Sequence, residues 1–193
     1  MGLKIGENTR KHVLNWDEDK KSMFLMEFQE TTWNTSSQQY DIQLASTYKV
    51  GGADYINTYD TTSSSVTTIA SSGTFYKLNL SATTTSSKGF TSTTGGTITK
   101  VGNAYGPIKI ELITSLSSGN NNELMVAIYK NGSIISESES DIVTSSGGKA
   151  STAPVQCLTT LNDGDTIEVY LKNQTSSTNV ELRHFNLILT EIL

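Results

Sequence analysis

Cysteine is nearly absent from this chain: Cys157 stands alone among 193 residues, which excludes an intrachain disulfide. It lies in the strand-like stretch "PVQCLTTL", where a lone cysteine is expected to act as a small buried apolar residue. A nucleophile would need a base beside it in space. Histidine is scarce as well. His12 and His184 are the only two, with no clustered cysteine or acid at metal-ligand spacing, so no metal site is expected. Neither histidine sits in a motif that would activate a serine. His184 alternates with Leu182 and reads as a strand or interface residue. No stretch keeps a helical period, and so no glycine-rich phosphate loop opens a helix. No acid pair is singled out for sugar hydrolysis. The expectation is a protein without catalytic residues, cofactor or metal, and not an enzyme.

Charge is also sparse. Charged residues make up 17% and the net charge is −5, with a pI near 5.0. Nucleic acid calls for a basic stripe, and none is visible. Arg10-Lys11 and Lys20-Lys21 are diluted by Asp17-Glu18-Asp19, which reads as a solvated segment. Apolar runs such as Met23 to Met26 are far too short for a membrane span. "MGLKIGENTRKHVLNW" lacks the apolar core of a secretion signal. The expected partners therefore include neither nucleic acid nor membrane, synthesis is expected in a cytoplasm, and the four Asn-x-Ser/Thr sequons are discounted.

Hydroxyl side chains are abundant: Ser and Thr form about a quarter of the chain. Threonine favours strands and serine favours turns, a bias toward β-structure with many loops. Short alternating runs support it. "SMFLMEF" is a compact strand. "YDIQLASTYKV" places Tyr40, Ile42, Leu44, Tyr48 and Val50 on one face. "PIKIELITSL" does the same with Ile108, Ile110, Leu112 and Leu116, and "TIEVYLK" with Ile167, Val169 and Leu171. "VELRHFNLILTEIL" closes the chain with Phe185, Leu187 and Leu189 on one face. "ELMVAIYK" is apolar on both faces, the pattern of a central or doubly covered strand.

The turns are as legible as the strands. Asn131-Gly132 is the strongest short hairpin signal, since a type I′ turn needs positive φ at both central residues. Gly164 in "NDGDT" suits a second tight turn. Asp163 and Asp165 are explained by turn chemistry, and Glu137, Glu139 and Asp141 by a solvated strand face rather than calcium. The serine- and threonine-rich stretch from Asn57 to Gly73 reads as an exposed strand or linker. It places a boundary between an N-terminal part, residues 1–72, and a C-terminal part, residues 73–193. The aromatics Trp16, Trp33, Tyr40, Tyr48, Tyr55 and Tyr59 crowd the first third and suit packing, or a sugar-stacking platform.

Lys130-Asn131-Gly132, then Leu161 through Gly164-Asp165 into Ile167–Leu171, then Phe185 resemble in order and spacing the jelly rolls of the tumour necrosis factor and complement globular-head superfamily. The resemblance is nearest to the modules of bacteriophage head fibres, decoration proteins and tail tips. It covers residues 73–193 and implies an all-β, antiparallel jelly-roll sandwich, a homotrimer and no catalytic residue. The first 72 residues have no counterpart and are expected to form a β-rich attachment region. The implied role is a virion structural protein, a capsid decoration or head-fibre protein, docking on the major capsid protein or another virion protein. The alternative is a tail-fibre tip that binds a host receptor or host-surface glycan.

Overall fold

The structure, a computed structural model, describes residues 53–60, 62, 65–147 and 149–192 in full, and residues 10–17, 22–34 and 39–50 as backbone. It divides into two compact units, Met1–Gly52 and Ala53–Leu193.

In the first unit β1 (Arg10–Asp17), β2 (Ser22–Asn34) and β3 (Gln39–Val50) form a three-stranded antiparallel meander. The runs "SMFLMEF" and "YDIQLASTYKV" fall within β2 and β3. The register of that pair shifts between Glu27 and Phe28 and again between Glu30 and Thr32. Such shifts mark β-bulges or irregularities in the pairing. The facing expected for Tyr40, Ile42, Leu44, Tyr48 and Val50 lies outside the described side chains, as do Trp16 and Trp33.

The second unit is a sandwich of two antiparallel sheets. Its strands are β4 (Tyr55–Asp60), β5 (Ser65–Thr67), β6 (Tyr76–Lys77), β7 (Thr83–Lys88), β8 (Phe90–Ser92), β9 (Ile98–Lys100), β10 (Ile108–Ser117), β11 (Glu123–Lys130), β12 (Ser133–Ile134), β13 (Ser140–Val143), β14 (Ser151–Thr159), β15 (Thr166–Asn173) and β16 (Val180–Glu191). One sheet runs β14-β10-β16-β4-β7, with β5 also on β16. The other runs β12-β11-β15-β9-β8, with β13 also on β11 and β6 on β15. The chain crosses between sheets from β5 to β6, β6 to β7, β7 to β8, β9 to β10, β10 to β11, β13 to β14, β14 to β15 and β15 to β16. This antiparallel crossing pattern is a jelly roll. The expected all-β jelly-roll sandwich is the fold of this unit.

Alternation explains the core. Ile108, Ile110, Leu112 and Leu116 of β10 face Leu124, Val126 and Ile128 of β11 and Ile167, Val169 and Leu171 of β15, all buried. The closing strand adds one irregularity. Its pairing with β10 runs Ser115 to His184 and then Leu116 to Leu182, which leaves Arg183 as the extra residue of a β-bulge. The bulge switches parity, so Val180 and Leu182 before it and Phe185, Leu187 and Leu189 after it are all buried. It also turns His184 outward, to an exposed position. His184 and Leu182 do not share a face as plain alternation implied.

The boundary expected after residue 72 is moved by the structure to Gly52. Strand β4 runs into the stretch from Asn57 that reads as an exposed strand or linker, and it pairs with β16 from Tyr55↔Thr190 to Asp60↔Phe185. Its alternate residues Ile56, Thr58 and Asp60 are buried. Two of those three are polar, so the apolar period that betrays a strand is missing from the sequence. Buried polar groups need partners. Thr58 Oγ1 donates to the Leu187 carbonyl at 3.4 Å, and Asp60 accepts from the backbone N–H groups of Thr62 at 2.8 Å and Ser81 at 2.6 Å.

Candidate functional site

The two turn motifs meet at one end of the sandwich. Asn131 and Gly132 have φ of 50° and 75°, and Tyr129↔Ile134 and Lys130↔Ser133 flank them, a two-residue hairpin as expected. Gly164 has φ of 82° and Asp165 N–H donates to the Asn162 carbonyl at 3.1 Å, which closes the second turn. Asn131 then bridges them. Its Nδ2 donates to Asp165 Oδ1 at 2.7 Å, and its Oδ1 accepts from Thr166 N–H at 2.8 Å and Thr166 Oγ1 at 3.2 Å. Lys130 Nζ lies 3.1 Å from Asp165 Oδ2 and donates to the Thr160 carbonyl at 2.7 Å. The Asp165 carboxyl is held below the usual range, first by the Asn162 backbone N–H and then by Asn131 and Lys130. The hairpin and the Gly-Asp turn are thus one latch, and its chemistry is structural.

A second polar cluster lies deep in the sandwich. Lys100, with a side chain 0% exposed, is 2.9 Å from Asp54 Oδ2 and donates to the Val101 carbonyl at 2.9 Å. Its Nζ also sits 5.1 Å from the centre of the Phe90 ring. The buried Glu191 accepts from the N–H groups of Asp54 at 3.1 Å, Tyr105 at 2.5 Å and Gly106 at 3.2 Å. These bonds tie the first residues of the sandwich to its last strand. Nothing in the sequence marked Asp54, Lys100 or Glu191, because partners 46 and 137 residues apart leave no local pattern.

The outward faces of the two sheets differ. On the β11 sheet, Phe75, Tyr129 and Tyr170 cluster. Tyr129 and Tyr170 stack at 4.0 Å, Phe75 meets Tyr129 edge-on at 5.6 Å, and Lys172 Nζ lies 4.6 Å from the Phe75 ring centre. Ala127, on the same face by alternation, is fully buried. This is the double covering that the apolar faces of "ELMVAIYK" implied. On the β10 sheet, Pro154, Ile113, Asn186 and Tyr59 stand side by side in one row. Leu158, Lys109, Thr190 and Tyr55 form another row. Ile113 is 57% exposed, Leu158 52% and Tyr55 41%. Between the rows, the polar groups bond to one another: Gln156 Nε2 to Glu111 Oε1 at 3.0 Å, Lys109 Nζ to Glu111 Oε1 at 2.9 Å, and Asn186 Nδ2 to Asn57 Oδ1 at 2.9 Å.

The remaining sequence candidates are scattered. Cys157 is buried on β14, and burial pushes its thiol up to about 11, with Glu137 adding to the shift. Asp163 Oδ1 accepts the Gly102 N–H at 2.7 Å, which is turn chemistry. Glu137, Glu139 and Asp141 do not share a strand face. Glu137 lies in a 3₁₀ turn, Ser136–Ser138, Glu139 follows it, and Asp141 opens onto Gln174 Nε2 at 3.0 Å. Among the described residues, no three His, Cys, Asp or Glu side chains gather where they could hold a metal ion. None of the described helices is long and apolar enough to cross a membrane.

No protein-family model and no curated protein matches the chain. Solved structures do. Eiger TNF from S. frugiperda is similar over 74% of this chain and 94% of that one, at 10% identity and a TM-score of 0.55. Murine APRIL at pH 8.0 is similar over 72% and 99%, at 9% identity and a TM-score of 0.50. The sandwich has a tumour-necrosis-factor-like fold. PRD1 vertex protein P5 also matches, over 75% of this chain and 100% of that one, at 17% identity and a TM-score of 0.48. Identities this low speak to fold alone.

Proposed function

We propose that the chain is a non-enzymatic virion structural protein of a bacteriophage, a capsid decoration or head-fibre protein, whose sandwich forms a homotrimer. The observation that carries the self-association is the outward face of the β10 sheet. Ile113, Leu158 and Tyr55 are large, apolar and at least 41% exposed, and they lie on one face of one sheet, in two rows with the row of Gln156, Glu111, Ile188 and Asn57 between them. Such a patch favours a partner surface. The polar groups among them, Glu111, Gln156, Lys109, Asn57 and Asn186, already bond to one another, so covering the face leaves few of them unsatisfied. The virion assignment rests on the Lys-Asn-Gly, Leu-x-x-Gly-Asp and Phe185 resemblance and on an acidic chain that would not compete for packaged nucleic acid.

In this reading the attachment role passes from residues 1–72 to the three-stranded unit ending at Gly52, and its partner is the major capsid protein or another virion protein. The test has two parts. Light scattering of the wild type should give a trimer mass, and Ile113→Asp with Leu158→Asp should give a folded monomer. A wild type that stays monomeric in solution and on the particle overturns the trimer. Electron microscopy of the source particle should place copies on the capsid. Copies at the tail instead favour the second reading, a receptor- or glycan-binding tip, for which the Phe75, Tyr129 and Tyr170 cluster would supply aromatic contact.

A further inference from the structure

We propose that Asn131 is a modification site, a slow deamidation site, and that the latch between the two turns both delays its conversion and is undone by it. Asn131-Gly132 is the single Asn-Gly pair in the chain. Glycine has no side chain to hinder its nitrogen, so this pair closes a five-membered imide more readily than other asparagine pairs. The Gly132 backbone nitrogen attacks Asn131 Cγ. The Cγ–Nδ2 bond breaks, and the amide leaves as ammonia carrying the proton from the attacking nitrogen. Water then opens the imide to aspartate or, through the other carbonyl, to isoaspartate. Asn131 is exposed, so water reaches it.

Ring closure requires the Asn131 side chain to rotate until Cγ faces the next nitrogen, and three bonds hold it elsewhere. Nδ2 is fixed on Asp165 Oδ1 at 2.7 Å, and Oδ1 takes Thr166 N–H at 2.8 Å and Thr166 Oγ1 at 3.2 Å. The positive φ of 50° at Asn131 is fixed by the hairpin. The other imide-prone pair, Asp163-Gly164, is held at both reacting groups: Gly164 N–H donates to the Lys100 carbonyl at 2.9 Å, and Asp163 Oδ1 accepts Gly102 N–H at 2.7 Å. Both pairs lie in the turns that the latch joins.

The product reverses the latch. An aspartate at 131 has no N–H to donate to Asp165. It places a carboxylate oxygen where the amide nitrogen stood, against a second carboxylate, and like charges so placed repel. Lys130, 3.1 Å from Asp165 Oδ2, offsets only part of that repulsion. Isoaspartate also adds a backbone atom to a two-residue turn whose register depends on its length.

The test incubates the full chain folded and in urea, at one pH and temperature, and follows the Asn131 peptide by mass spectrometry. The folded chain should convert on the order of tenfold more slowly, since each bond holding the side chain must be lost before closure. Asp165→Ala, folded by circular dichroism, should convert faster than the wild type. Equal rates in the folded and unfolded wild type, or a folded Asp165→Ala variant that converts at the wild-type rate, would overturn the proposal. Should Asp165→Ala not fold, the urea comparison decides the delay, and Asn131→Asp, which should melt below the wild type, decides the unlatching. An unchanged melting temperature for Asn131→Asp would overturn the unlatching.

Discussion

Gly89 to alanine should be among the most damaging single-methyl changes in the sandwich, and the damage should run through an ion pair that Gly89 itself does not make. Gly89 stands between β7 and β8, where the chain passes from one sheet to the other, and has φ of 70°. A Cβ at that position would lie 2.2 Å from both Cγ and Oδ2 of Asp54. Two costs add. Holding an L-residue in the left-handed region costs about 1–2 kcal/mol. Pushing the Asp54 carboxylate away also breaks its 2.9 Å contact with the fully buried Lys100. Losing one side of a buried pair costs about 3–5 kcal/mol. The sum, about 4–7 kcal/mol, is a large share of the roughly 5–15 kcal/mol that holds a typical domain folded.

The decisive assay is a double-mutant cycle by urea unfolding, at one protein concentration because self-association adds to apparent stability. Asp54→Ala alone removes the carboxylate and leaves Lys100 buried, at about 3–5 kcal/mol. On that background Gly89→Ala should cost less than in the wild type, since the 2.2 Å contacts are gone while the φ term of about 1–2 kcal/mol and the 2.8 Å approach to the Cβ of residue 54 remain. The asparagine variant does not serve, because it keeps the clashing atoms. Additivity of the two changes within about 0.5 kcal/mol would refute the reasoning, because it would mean that Gly89 and Asp54 act independently. If Asp54→Ala does not fold, Lys100→Met provides the same cycle, with the ion-pair part of the cost already spent.

Gly132→Val should destabilise the sandwich by about 1–3 kcal/mol from strain at positive φ, with no steric part, since a Cβ there meets nothing within 4 Å; an unchanged melting temperature refutes the turn. Asp165 has its pKa lowered in the folded state, so its stabilisation is present above the unfolded carboxylate value of about 3.9 and is lost as pH falls through the lower folded value. Asp165→Ala should therefore lower stability at neutral pH and flatten that part of the acid limb, and an acid unfolding curve parallel to the wild type argues against it. Cys157, its thiol raised to about 11, should resist thiol reagents at neutral pH when folded and react in urea; equal rates refute its burial. A fragment of residues 53–193 should fold, whereas one of residues 73–193 lacks the fully buried Ile56 and bares the β4 side of β16. A soluble, cooperatively melting 73–193 fragment would return the boundary to Gly73.

The sequence revealed the strands whose inward positions are apolar. β10 and β15 were legible because Ile108 through Leu116 and Ile167 through Leu171 carry the period of two, β11 because "ELMVAIYK" is apolar on both faces, and the two turns were legible because glycine sits where φ must be positive. β4 was hidden for the converse reason: Thr58 and Asp60 are buried by virtue of long-range bonds, and a polar inward residue looks like a polar outward one. The parity switch at Arg183 was hidden because "ELRHF" reads the same with or without a bulge, and only the pairing with Ser115 and Leu116 reveals it. The outward faces were half legible. Ile113 and Leu158 are visible as apolar residues out of phase with their strands. That they fall on one face in rows with Tyr59 and Tyr55 depends on which strands become neighbours, which no local pattern encodes.

The contrast between the two outward faces bears on where a partner binds. Around Tyr129 the β11 sheet covers its own outer surface, although Val143 on its β13 edge stands 57% exposed: the rings of Phe75, Tyr129 and Tyr170 pack on one another, Lys172 lies against Phe75, and Ala127 beside Tyr170 is fully covered. The β10 sheet does not. Ile113 and Leu158 stand more than half exposed on a face whose charged and amide groups bond sideways to each other. Burying a fully exposed side chain of this kind is worth about 1.5–3 kcal/mol, so covering these two, each about half exposed, contributes about half of that apiece, and the sideways bonds spare much of the desolvation cost that makes polar faces poor interfaces. A binding surface for a soluble ligand would show the opposite arrangement, with polar groups left aimed outward. The finished face therefore suits the exterior of an assembly, and the unfinished face suits contact between copies.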